Sequence, residues 1–154
     1  MSFTQPVIRK SYRSGIWAGL IALCIAAPTA LAADLTVTVA GVHGGPGKVV
    51  FGLYVDPKEW PKGHAAYDAV APTGDDSAVY VFKALPPGRY ALTGYYDENN
   101  NGKMDFSFIG LPEEGFFFSN DRSPGLSTPS FDACAVTIGD NDSAMTVHIQ
   151  HWGG

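Results

Sequence analysis

Beyond residue 33, Gly, Pro, Asn and Asp recur so closely that no apolar stretch is long enough for more than a turn or two of helix. The 154 residues include 18 glycines and 11 prolines, and no long run repeats at helical spacing. Between the breaks lie six short runs: "LTVTVAGV" (35–42), "GKVVFGLYV" (47–55), "AVYVFKAL" (78–85), "RYALTGYY" (89–96), "ACAVTIG" (133–139) and "AMTVHI" (144–149). They are rich in β-branched and aromatic residues and several alternate, as strands require. "PPG" at 86–88 and "DNDS" at 140–143 read as tight turns joining the runs that flank them. A seventh strand fits around "FFF" (116–118), whereas "KGHAAYDAV" in the irregular stretch 56–76 has room for one helical turn. The chain therefore reads as all-β, a small antiparallel sandwich of six to seven strands.

The first 32 residues have the form of a targeting segment. Arg9, Lys10 and Arg13 precede the apolar "GIWAGLIALCIAA" (15–27), which is too short to span a bilayer comfortably, and "ALA" at 30–32 supplies a cleavage signal. Cleavage would leave 33–154 as one domain, periplasmic or secreted, with no membrane insertion after processing. All fifteen acidic residues and seven of the ten basic ones lie beyond the cut, a net charge of −8. That balance excludes nucleic acid as a partner and suits a domain that attracts cations. Cys134 would be the one cysteine left, so no internal disulfide is possible, and its apolar surroundings mark it as a buried small hydrophobe.

"DENNNGKMD" (97–105) carries the chemistry. Asp97, Asn99 and Asn101 occupy positions 1, 3 and 5 of an EF-hand-type series, Gly102 position 6, the Lys103 carbonyl position 7 and Asp105 position 9. Calcium takes six to eight oxygens and fits this spacing better than magnesium, which holds to a stricter octahedron. Position 12 departs from the pattern, since Phe108 stands where a bidentate glutamate belongs and no helix follows. Glu113 or Glu114 would have to supply that carboxylate once the chain turns back at Pro112. The competing reading is a solvated turn, for which "NG" alone suffices.

These residues also resemble a bacterial family catalogued as domain of unknown function 2141. The likeness joins the "LPPGRYA" turn (85–91), the Asp97–Asp105 loop, and Gly110, Leu111, Pro112, Glu114, Gly115, Ser119 and Asn120 before the last strands. Phe117 departs from it, at a position where the family usually has a small residue. The resemblance implies an exported, Ig-like or prealbumin-like sandwich, also similar to carboxypeptidase-regulatory-like domains. It implies no activity.

Other chemistry is weaker. His148 and His151 lie three apart on a strand, facing opposite sides, and no zinc spacing accompanies them. Ser119, Ser123 and Ser127 lack a nucleophile elbow. Trp60, Tyr67 and Phe116 to Phe118 fall in irregular stretches, where they either present a ligand surface or cover the core. The expectation is an exported, non-enzymatic binding or interaction domain with a structural calcium loop, its partner an exported protein or a saccharide. The alternatives are a carbohydrate- or cell-wall-binding module using the loop aromatics, and a hydrolase using Glu113, Glu114 or a loop serine.

Overall fold

The computed structural model describes residues 31–43, 45–125 and 127–153. All but the last two residues of the targeting segment read at 1–32 lie outside them. Eight strands form two sheets: β1 (Ala33–Ala40), β2 (Lys48–Tyr54), β3 (Tyr67–Pro72), β4 (Ser77–Leu85), β5 (Gly88–Asp97), β6 (Gly115–Phe118), β7 (Val136–Ile138) and β8 (Ser143–His148). The three-stranded sheet runs β4-β1-β8 and the five-stranded one β3-β2-β5-β6, with β7 also pairing β5. The long β5 divides its edge, giving Gly88–Tyr90 to β7 and Thr93–Tyr96 to β6. Mutual hydrogen bonds between Phe116 and Gln150 then tie β6 to the segment after β8.

Strict alternation in β1 places Leu35, Val37 and Val39 on one face, where they join Val49, Phe51 and Leu53 of β2 in the main core. Phe51 sits at its centre, edge-on to Phe82 of the opposite sheet at 6.3 Å and to Phe117 at 5.7 Å. Each such buried ring contributes roughly 2–3 kcal/mol of apolar burial. The five-stranded sheet also has a covered outer face. There Tyr54, Ala91, Phe116 and Phe118 pack under Trp60, Phe131 and Cys134 as a second cluster. Burial on both faces is why "GKVVFGLYV" and "GFFF" read as continuous apolar runs rather than alternating ones.

Four expectations change. The strands among the described residues number eight, because the stretch 56–76 contains β3 in place of a helical turn. Its small inward residues Ala69 and Ala71 gave little apolar signal, and Pro72 suits the edge position it holds. The run 133–139 starts as a helical turn, Phe131–Cys134, capped by Ser130 Oγ accepting from Ala133 N at 3.2 Å, so β7 is only three residues long. "DNDS" does not close a hairpin: β7 pairs β5 and β8 pairs β1. Crossing between sheets there brings β8 alongside β1 in parallel, so the sandwich is not wholly antiparallel. The strand around "FFF" and the buried, free Cys134 stand as read.

Phe117 fits because of Gly94, its partner in register across the β5–β6 ladder. A Cβ on Gly94 would lie 2.4 Å from the Phe117 ring and 2.1 Å from the Val50 carbonyl oxygen. The small residue here is Gly94 on the neighbouring strand, and the Phe117 ring occupies the space its missing side chain leaves. Gly94→Ala should cost about 1–3 kcal/mol by overpacking, and Phe117→Ala about 3–5 kcal/mol through the cavity it leaves. Urea unfolding midpoints of the two variants check both. Burial pushes the Cys134 thiol up to about 11, so peptide mapping should find it alkylated by iodoacetamide only after unfolding.

Candidate functional site

The strand β5 ends on Asp97, whose side chain lies on the outer face beside its cross-strand partner Lys48. Asp97 has no solvent exposure. Its Oδ1 accepts from Asn101 N at 3.0 Å and its Oδ2 from Gly102 N at 2.8 Å, while Lys48 Nζ stands 3.4 Å from Oδ2. One carboxylate thus pulls the following five residues into a loop. Asn100 and Gly102 take positive φ of 59° and 84° to make the reversal.

Short-range turns complete it. Asn99 Oδ1 accepts from Asn101 N, and Asn101 Oδ1 from Lys103 N, each at 3.0 Å. The Asn99 and Asn101 amide nitrogens both donate to Asp105 Oδ2, at 2.6 and 2.7 Å. Glu114, on the segment returning from Pro112, is buried beneath the loop. It accepts from Glu98 N at 3.1 Å and from Asp105 N at 3.3 Å. Of the two glutamates the sequence left open, Glu114 faces the loop, while Glu113 offers its backbone N–H to the Asp105 carbonyl at 3.0 Å. Burial raises the pKa of Glu114, with the charges of Asp97 and Asp105 adding to it against the two backbone N–H bonds. Among the described residues no three His, Cys, Asp or Glu side chains close on one metal-sized point. What the loop assembles is a mixed set of carboxylates, amides and carbonyls.

Residues 104–112 form a flap from this base. The flap is closed by the Phe106–Pro112 bridge and by a turn in which Gly110 N donates to the Ser107 carbonyl at 2.8 Å. Phe108 is fully exposed at its tip and Ile109 76% exposed. Met104, Phe106 and Leu111 form one wall of a groove of about 520 Å³ over the outer face of the five-stranded sheet. Val50, Thr93 and Tyr95 make the floor, and Tyr54 and Pro61 stand opposite.

The other singled-out residues are placed elsewhere. Ser119 is buried, with Oγ accepting from Leu92 N at 2.9 Å and donating toward the Cys134 carbonyl at 2.6 Å, so it fastens β5 to the helical turn. His148 pairs Asp121 at 2.9 Å, and His151 lies 3.7 Å from Glu98. Phe116, Phe117 and Phe118 are buried, and Trp60 is packed edge-on to Tyr54 with its indole N–H on the Pro129 carbonyl. Among the described residues the aromatic rings that are open to solvent are instead Phe106, Phe108 and Trp152, of which the sequence reading named only Phe108, as the departure at position 12. For the first two the signal is "FSFIG", where Phe106, Phe108 and Ile109 crowd a loop bounded by Gly and Pro; Trp152 has none.

A family model described as "Uncharacterized protein conserved in bacteria (DUF2141)" matches residues 37–146, which takes in the loop, the flap and the groove floor. No curated protein and no solved structure matches the chain.

Asp97→Ala removes the acceptor of two loop amides and the partner of Lys48. It should lower stability by about 2–4 kcal/mol in chelator, against less than about 0.5 kcal/mol for Ala at the half-exposed Glu98. Denaturant unfolding of the two variants side by side makes the comparison.

Proposed function

Because the chain belongs to DUF2141, a family of bacterial proteins described as uncharacterized, we propose its function from its own geometry: an exported, non-enzymatic binding or interaction domain in which a calcium-type ion fixes a flap beside a groove. The observation that carries this reading is that one loop holds Asp97, Asp105 and the buried Glu114 along its length, with Lys48 paired to Asp97 alone. Three carboxylates against one ammonium leave an excess of negative charge in a partly desolvated place, which a divalent cation would offset.

The donor chemistry fits such an ion. Asp97, Asn99, Asn101, the Lys103 carbonyl and Asp105 are the loop's ligand set, and Glu114 takes the place of the carboxylate absent at position 12. All six offer hard oxygen, as calcium prefers. A carboxylate has about four acceptor sites, and the hydrogen bonds to Glu114 use two of them. The ion would supply charge neutralisation and rigidity rather than chemistry on a substrate. The Asn99 and Asn101 nitrogens face Asp105, so an ion held by these side chains would take the place of those two hydrogen bonds. That competition points to the weak range of extracellular modules, about 10⁻⁴–10⁻³ M.

The non-enzymatic part rests on Ser119 and Glu114 being engaged in holding backbone groups. Export to the periplasm or the medium rests on the targeting pattern of residues 1–32. No helix among the described residues is long and apolar enough to cross a membrane. Two sheets around one core, with a strand pair crossing between them, support the Ig-like or prealbumin-like arrangement.

Thermal unfolding in chelator and then in millimolar calcium tests the ion. At a hundredfold excess over the dissociation constant the gain should be about 2.7 kcal/mol, with magnesium giving a smaller one. Asp105→Asn keeps an oxygen for the two amides but removes a charge, so it should fold normally and lose the calcium response. Equal midpoints in chelator and calcium for the unmodified protein would overturn the ion.

A further inference from the structure

The groove beside the flap has a chemical character of its own. Tyr54, Tyr95, Phe106, Phe116 and Trp152 line it, so a ligand lying there meets aromatic faces and edges on several sides. Its volume of about 520 Å³ falls in the range of small-molecule sites, roughly 300–1,000 Å³. Carboxylates stand at both ends. Asp68, the register partner of Gly52, lines the Tyr54 end, and Asp97, which heads the acidic loop, lies two residues beyond Tyr95 on the same face of β5. Tyr54 registers this placement. Burial first, then Asp68 and Glu59, raise the pKa of Tyr54. Lys62 is the one cation among the described lining residues, and it is exposed at the same end as Asp68. The whole chain carries a net charge of −5.

We propose that this groove binds a small organic cation carried on an apolar body, an alkyl or aryl ammonium, with the apolar part on Tyr95, Phe106 and Phe116 and the charge toward Asp68. Aromatic lining alone would accept any apolar molecule of the right size. The flanking carboxylates set the sign, because they attract a cation and repel an anion through a site of lowered dielectric. Ring faces add to this for an ammonium and for no neutral ligand. An isostere without the charge keeps the apolar contacts and loses both terms.

The test is calorimetric titration of the purified protein, in chelator and at low salt, with three probes of one shape. They are 4-phenylbutylammonium, 4-phenylbutanol and 4-phenylbutanoate. Chelator makes the result independent of whether the loop takes up calcium, so this site and the ion stand or fall separately. The ammonium should bind roughly tenfold tighter than the alcohol, with the carboxylate weakest. Asp68→Asn, at an exposed position on an edge strand, should weaken the ammonium about threefold or more and leave the alcohol unchanged. Phe106→Ala, also at an exposed position, should weaken the ammonium and the alcohol together. Circular dichroism of both variants confirms that they fold. Three results would overturn the proposal: equal or tighter binding of the alcohol or the carboxylate, ammonium binding indifferent to both variants, or no binding of the ammonium at about 10 mM, where even a site of roughly millimolar Kd, about −4 kcal/mol, is mostly filled.

Discussion

A carboxylate shut away from water has to find its hydrogen bonds and its counter-charge inside the protein, and Asp97 finds them within a few residues of itself. Two are the backbone N–H groups of Asn101 and Gly102, and the third is Lys48 across the ladder. Leaving any of these unmade in a buried place costs about 1–3 kcal/mol, so the end of β5 dictates the path of the chain for the next five residues. Glu114 repeats the device from the other side, holding Glu98 N and Asp105 N. The loop is therefore pinned at its start, its middle and its return. The flap that grows out of it inherits that fixed base.

The same strand ties the loop to the rest of the sandwich. The inward residues Tyr90, Leu92 and Tyr96 of β5 belong to the main core, and its outward residues Ala91 and Tyr95 belong to the second cluster. Asp97 continues the outward series, so a charged loop sits at the end of an apolar row, and the groove occupies the ground between. Flap, groove floor and acidic loop are consecutive parts of one surface built on β2, β5 and β6. In the reading proposed above, an ion would stiffen one border of that surface and a cationic ligand would use its middle.

Much of this was legible in the sequence, and the misses have physical causes. Strands with a full set of large or β-branched residues, β1, β2, β4 and β5, could be placed from pattern alone. β3 could not, because Ala69 and Ala71 face inward and show no apolar contrast, and its edge position tolerates Pro72. The hairpin at "DNDS" misled because turn chemistry says that a chain reverses but not which sheet the next strand joins. Which of Glu113 and Glu114 faces the loop was equally beyond local reasoning. It depends on the register by which Gly115–Phe118 pairs β5, and a shift of one residue would exchange the two. The groove was out of reach altogether, since Phe106, Leu111, Tyr54 and Tyr95 are brought together only by the tertiary fold.

The most direct measurement of the central claim, that Asp97 and Glu114 hold the loop and through it the flap, is residue-resolved amide hydrogen exchange across 98–112. The account predicts slow exchange at Glu98, Asn101, Gly102 and Asp105, the four amides bonded to those two carboxylates, at rates approaching those of β5. Exchange at all four as fast as in an unstructured peptide, with β2 and β5 still protected, would contradict it. The loop would then be a solvated turn hung on a stable sandwich, and the flap would have no fixed base.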